Sequence, residues 1–304
     1  MRMRALKRIL YSWIDKHFLG GCSSYNSLEV RKSCRSKLQA RVVFAANDIP
    51  HAKGTTFLSP LKAVRFAREN GFPLCVKPNV SGFSRGSHFP ITNYPELYRA
   101  IFFAKAWWPV SVVEQYLEGK NYRVLVVEGG IMSVIRRYPS FVDGDGQSTI
   151  NQLIDRENVI RTEMQLGPVI HPIPKDSRIV NYLKKQQLSL ESVPAARSRI
   201  RLFNRVALAP GGVVEIVDKK SLPPENRELF QKVLSLFKAN ILGIDAIFER
   251  GIEESYRSQK TIFLEVNSRP YLKMHDFPRF GQAEDLSSYY AKLANLEIDE
   301  RDIF

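Results

Sequence analysis

Thr261-Ile262-Phe263-Leu264-Glu265-Val266-Asn267-Ser268-Arg269-Pro270 is an apolar stretch that closes on a carboxylate, one spacer and a carboxamide. Side chains alternate across a strand with period two, so Glu265 and Asn267 fall on the same side of it. Hard oxygen donors brought to one strand end suit Mg2+, which keeps several waters and is ordinarily shared between one or two protein carboxylates and substrate phosphates. Asp245, in Gly243-Ile244-Asp245-Ala246, is the candidate partner carboxylate on a neighbouring strand. A bare E-x-N also ends strands that hold no metal, so its weight depends on the rest of the chain.

The 304 residues are 44% hydrophobic and 25% charged, a globular composition long enough for one large or two modest cores. No run approaches the roughly 18 apolar residues of a membrane span, since the most apolar stretch, 100–113, is broken by Lys105 and Pro109. Lys7, Arg8 and Asp15 interrupt any signal-peptide core near the N-terminus, which points to a cytoplasmic protein. Three cysteines, Cys22, Cys34 and Cys75, have an odd count and no metal-like spacing, against both a disulfide frame and a zinc site. The formal charge of +14 would draw in polyanions: nucleotides, nucleic acid, an anionic membrane or an acidic substrate. Zinc-finger spacing and RRM-type aromatics are both missing, so nucleic acid is not the expected partner.

Residues 2–18 carry Leu6, Ile9, Leu10, Trp13, Ile14 and Phe18 at helical spacing with several cations, which suits a helix docked on its own domain or one that meets a membrane or partner. A loop is expected at 19–30, and helices at 36–47, 59–70, 94–106, 148–155 and 225–239. Strands are expected at 72–78, 121–127, 131–137, 200–208, 212–217, 241–249 and 261–266, with 110–120 a strand leaving into a turn and a polar insertion over 156–200. The segment after Lys77, from Asn79 to His88, is small, polar and glycine-containing, of the kind that brings backbone N–H groups close to phosphate oxygens. The class reading is mixed α/β or α+β with antiparallel sheet.

In order, the chain has Lys37, the V-K-P lysine Lys77 with its glycine loop, V-E-Q-Y-L-E-G from Val113, G-I-D from Gly243 and E-V-N-x-x-P from Glu265. That succession resembles the ATP-grasp superfamily, most closely the grasp portions of cyanophycin synthetase and bifunctional glutathione synthetase, over roughly residues 36–285. The resemblance implies an α+β fold whose two lobes, with mixed or antiparallel sheets, clasp ATP: an N-terminal lobe at 36–110, a C-terminal lobe at 111–304 with an insertion near 140–200, and a leading segment at 1–35. It implies conversion of a carboxylate to an acyl phosphate, which an amine then attacks. Lys37 and Lys77 match lysines on the nucleotide phosphates, and Ser81, Gly82, Ser84, Arg85 and Gly86 match the covering loop. Glu114, Gln115, Tyr116 and Leu117 match the adenine hinge, and Asn121 stands where relatives use an acid on the ribose. Asp245, Glu265 and Asn267 match the ligands of Mg2+, two ions being expected.

Arg123, Arg201, Arg205, Arg269 and Lys273 are candidate grips for a substrate carboxylate or phosphate, and His275 is a candidate catalytic group or else a structural histidine. Ala207-Leu208-Ala209-Pro210-Gly211-Gly212 departs from the polar N-L-S-T-G-G of relatives, which alters the expected substrate side. Only about 35 residues precede Lys37 where relatives carry a whole domain, so a homo-oligomer, partner or carrier is expected to complete the substrate site. A ligase acting on amino acids or short peptides is the leading expectation. The alternatives are a non-catalytic basic module that binds nucleotide, membrane or partner, which would have lost its metal ligands, and an ATP-grasp phosphotransferase.

Overall fold

The computed structural model describes residues 13, 25–34, 36–79 and 86–294. The expected helix at 2–18, apart from Trp13, and the loop residues Ser81, Gly82, Ser84 and Arg85 lie outside the described residues. The elements begin with α1 (Leu28–Ser33), α2 (Lys37–Ala46), β1 (Gly54–Phe57), α3 (Pro60–Asn70), β2 (Leu74–Pro78), β3 (His88–Ile91) and α4 (Tyr94–Trp107). They continue with β4 (Ser111–Gln115), β5 (Lys120–Val127), β6 (Gly130–Tyr138), β7 (Phe141–Asp143), α5 (Ile150–Glu163), α6 (Ser177–Lys185) and β8 (Arg199–Arg201). The last are β9 (Val213–Val217), α7 (Pro224–Leu236), β10 (Ile241–Phe248), β11 (Thr261–Asn267) and α8 (Ser287–Ala294).

Two compact units emerge: one from Met1–Met132, Lys219–Tyr271 and Leu286–Phe304, the other from Ser133–Asp218 and Leu272–Asp285. Within the first unit, one sheet has the order β1-β4-β2-β3, every pairing antiparallel. Leu74, Val76 and Val113 face α3 and α4, where Ala63, Phe66, Leu97, Ile101 and Ala104 close a dry core. Period-two alternation sends Cys75, Lys77 and Glu114 to the opposite face. Strands β5, β10 and β11 also pair antiparallel. Here Tyr122, Phe248 and Phe263 turn to one face, and Phe230 of α7 and Phe44 of α2 stack against them edge-on or tilted. The other face is left for Arg123, Asp245, Glu265 and Asn267.

In the second unit β6 pairs with β9 and β7 with β8, again antiparallel. Helices α5 and α6 cover a core of Val142, Ile150, Ile154, Ile173, Ile179, Leu183 and Leu202. The Asp143-Gly144-Asp145-Gly146 turn is tied to α5: Asp145 accepts from the backbone N–H of Gln147 at 2.9 Å and of Ser148 at 2.7 Å, and from the Ser148 hydroxyl at 2.7 Å. Those donors, the Ser148 backbone first, hold the Asp145 carboxyl well below its ordinary value of 3.8. A depressed folded-state value stabilises above the unfolded one and the contribution is lost as pH falls through and below it. The melting temperature is therefore expected to drop between about pH 5 and pH 3, with a shallower drop in Asp145→Ala. Equal slopes in the two proteins would remove Asp145 from the account.

Sequence and structure differ in several places, among them the unforeseen strand β7 and helix α8. Residues 19–30 were expected to be loop, but Ser27 caps a short helix by accepting from the Val30 N–H at 3.3 Å. The helix expected at 148–155 runs on to Glu163, started by a reciprocal Thr149–Gln152 capping box. The strand expected at 200–208 stops at Arg201, and the chain then turns so that Gly212 N–H reaches the Ala207 carbonyl at 3.0 Å. Strands β1 and β3 were not foreseen; both are four-residue sheet edges, too short for an alternating pattern.

Cys34 ends α1 beside Ser33 and Ser268, and burial pushes its thiol up to about 11 from an ordinary 9.0. Thiolate is the reactive form, so iodoacetamide is expected to label Cys34 about a hundredfold more slowly in the folded protein than in urea. Peptide mass spectrometry at pH 8 reads this directly, and comparable rates in the two states would contradict the burial.

Candidate functional site

The polar faces of the two sheets in the first unit carry a chain of alternating charges. Lys77, on β2, projects from a fully buried strand, and its ammonium donates to Glu114 Oε1 at 2.5 Å. Glu114 is 4% exposed, and its second oxygen lies 3.7 Å from Arg41 Nη1. Burial works to lower the Lys77 pKa, but the Glu114 charge and hydrogen bond outweigh it and leave the ammonium more firmly protonated than usual.

Helix α2 supplies the next two cations. Ala40 and Phe44 are its buried residues, and Lys37 and Arg41, one turn apart, flank them. Lys37 Nζ lies 3.8 Å from Glu265 Oε2. Burial depresses the Lys37 pKa more than Glu265 restores it, and nearby Lys77 lowers it further. This is a place where a lysine would gain from an added anion.

The acids are fixed by strand register. Asp245 stands opposite Arg123 on one side and Glu265 on the other, so Arg123, Asp245 and Glu265 form one row across β5, β10 and β11. Directly opposed residues on an antiparallel pair hold their Cβ atoms about 4.5–5.5 Å apart. Asn267, two residues beyond Glu265, shares its face and stands opposite Gly243. Gly243 has to be glycine because a Cβ there would come within 2.8 Å of Pro270, of the E-V-N-x-x-P segment. The register slips between Asp245 and Ala246, which jump from Glu265 to Phe263 across the strand. This bulge lets Glu265 face the charges while Phe263 packs in the core.

Arg123 is tied to Asp245. Its guanidinium was a candidate grip for substrate, yet Nε and Nη2 donate to the two Asp245 oxygens at 2.6 and 2.8 Å. These two bonds orient and neutralise a buried acid. His275 has no exposed surface, and its Nδ1 lies 2.9 Å from Ser133 Oγ within the second unit. Arg269 is exposed after β11 in the first unit, whereas Arg201, Arg205 and Lys273 belong to the second. Asn121 lies on the Arg123 face of β5.

The sequence reading missed Arg41. Its position four residues after Lys37 on an expected helix was the available signal, lost among 45 lysines and arginines. Gln115, Tyr116 and Leu117 line a cavity of about 600 Å³ with Pro50, His51 and Phe72, but none of the charged groups above lines it.

Asp245, Glu265 and Asn267 present oxygen donors of the hard type on one face, which fits magnesium. Among the described residues no group of three or more His, Cys, Asp or Glu is arranged to hold a metal by itself. Among the described residues no helix is long and apolar enough to cross a membrane.

No family model matches the sequence. The chain is similar to the cyanophycin synthetase of Trichormus variabilis, 30% identical over 262 residues that cover 84% of this chain and 28% of that protein. A solved bifunctional glutathione synthetase from Pasteurella multocida aligns with a TM-score of 0.63 at 21% identity, over 88% of this chain and 37% of its own. The D-alanine–D-alanine ligase of Bacillus anthracis aligns with a TM-score of 0.54 at 15% identity, over 92% of this chain and 73% of its own. The chain has the ATP-grasp fold. This ATP-grasp chain spans about a third of the length of the cyanophycin synthetase and bifunctional glutathione synthetase it matches. Its antiparallel sheets, helices on one face of each and charges on the other, are the α+β arrangement expected from sequence.

Proposed function

We propose that this chain is an ATP-dependent ligase that joins a carboxylate to an amine through an acyl phosphate, with an amino acid or short peptide among its substrates. The observation that carries the reading is the row Arg123–Asp245–Glu265 with Asn267 beside it and the cations Lys37 and Lys77 nearby. Arg123 pairs with Asp245 and Lys37 stands by Glu265, and the two acids still share one face with Asn267, where a divalent cation would find oxygen donors and an anion would meet the lysines.

In this reading Lys37 and Lys77 hold nucleotide phosphates, the loop ending at Gly86 covers them, and the backbone of Gln115–Leu117 receives the adenine, while Glu114, which the resemblance offered for the adenine hinge, serves as the counter-charge of Lys77. Asn121 is the acceptor for the ribose hydroxyls. Asp245, Glu265 and Asn267 hold one or two magnesium ions, and Arg123 fixes the angle of Asp245. Magnesium, when bound, spreads the charge that develops as the phosphoryl group moves. The protein's share is positioning and electrostatics. Arg269 is the candidate in the first unit for holding a substrate anion. The lobes of the clasp are assigned to 36–110 and 111–304, and the compartment to the cytoplasm.

The test is ADP release from ATP and Mg2+ against a panel of amino acids and short peptides, singly and in pairs. Release that needs one carboxylate and one amine together supports a ligase and names its substrates. Full release without any amine would assign a phosphotransferase, and failure to bind Mg-ATP would sink the enzymatic reading.

A further inference from the structure

Lys77 faces a conflict if it is to serve a phosphate. Its ammonium is bound to Glu114 Oε1, and an ammonium tied to a carboxylate offers little net charge to a second anion. When it turns toward a phosphate it leaves behind a carboxylate that is 4% exposed, and a bare buried carboxylate is heavily penalised. Something has to take over Glu114 as Lys77 leaves.

Arg41 is placed to do so. Its Nη1 is buried with no hydrogen-bond partner among the described residues, 3.7 Å from Glu114 Oε2. Arginine is always charged and carries several donors, so an orphaned buried N–H on it is an unmet demand for an acceptor. The gap is about 0.8 Å longer than a charge-assisted hydrogen bond, a distance that small side-chain rotations close. Gly54, opposite Glu114 on β1, leaves the space: a Cβ there would stand 2.6 Å from Arg41 Nη1 and 2.6 Å from Glu114 Cβ. Lys37, one turn earlier on α2, stands by Glu265, so the helix sets one cation beside each acid.

We propose that Arg41 is the relief counter-ion of Glu114: as nucleotide phosphates draw Lys77 away, the Arg41 guanidinium closes on the carboxylate and makes the exchange affordable. Arg41 is thus a positioning residue that acts through Glu114 and Lys77. The inference rests on the reading of Lys77 as a phosphate contact.

The experiment is isothermal titration of the full chain with Mg-ATP and with adenosine, which has no phosphate to draw Lys77. Arg41→Met is expected to weaken Mg-ATP binding at least about tenfold while adenosine affinity stays within about twofold, and Arg41→Lys is expected to recover most of the loss. In a Glu114→Gln background, where no charge needs relief, Arg41→Met is expected to add little. Equal losses for ATP and adenosine, or a full additional loss in the Glu114→Gln background, would overturn the proposal, as would undiminished ATP binding by Arg41→Met. A wild-type chain that fails to bind ATP overturns the underlying reading instead. Retention of fold is checked on Arg41→Lys, whose loss of recovery also counts against the exchange.

Discussion

Glu265→Ala is expected to lower Mg-ATP-dependent turnover about a thousandfold, in the range seen when one charge-stabilising group is removed from a site, while nucleotide binding without magnesium changes much less. The asymmetry follows from position. Glu265 stands opposite Asp245 on the charged face, so its loss removes half of a carboxylate pair. It also lies 3.8 Å from Lys37, so removing it releases that lysine from its counter-charge and leaves it available for phosphate. Turnover and metal-free binding therefore respond differently, a split that general unfolding would not produce. Glu265→Gln keeps the shape and discards the charge, and should behave like the alanine protein. Turnover within threefold of wild type in either variant would remove Glu265 from the metal-holding set.

Arg123→Leu is expected to cost about 3–5 kcal/mol of folding stability, the usual penalty for stripping one partner from a buried ion pair. Two of its hydrogen bonds, at 2.6 and 2.8 Å, go to the two oxygens of Asp245, whose side chain is 5% exposed. With the guanidinium gone, that carboxylate is left in a poorly solvated place facing a second acid. The double variant Arg123→Leu/Asp245→Asn removes the uncompensated charge and should regain most of the lost stability. Urea unfolding followed by fluorescence measures all three proteins. A double variant no more stable than Arg123→Leu alone would mean that leucine fails by packing, with charge as a bystander.

What the sequence disclosed follows the physics of each signal. Glu265 and Asn267 could be assigned to one face from alternation alone, because period two is a local property. The expected α2, β2 and β4 were legible from caps and apolar runs, and with them Lys77 and Glu114. Register was not local: nothing in the order of residues says that Arg123 faces Asp245, a partner 122 positions away. The sequence therefore offered Arg123 as a substrate grip with no sign of its pairing to Asp245. The burial of His275 against Ser133 is a tertiary fact of the same kind. The edge strands β1 and β3 lacked the length to signal themselves, yet β1 supplies Gly54, on which the approach of Arg41 to Glu114 depends.

The first unit is discontinuous in sequence: the chain departs at Met132 and resumes at Lys219, and only then supplies β10 and β11. A ribosome adding roughly 5–20 residues per second takes on the order of 6–24 s to travel from Arg123 to Asp245, given their separation of 122 residues. Throughout that interval β5 has a complete strand and no β10 to lie against. The strand waiting unpaired carries Lys120 and Arg123 ahead of the apolar run Val124–Val127, and charged side chains of this kind disfavour edge-to-edge association.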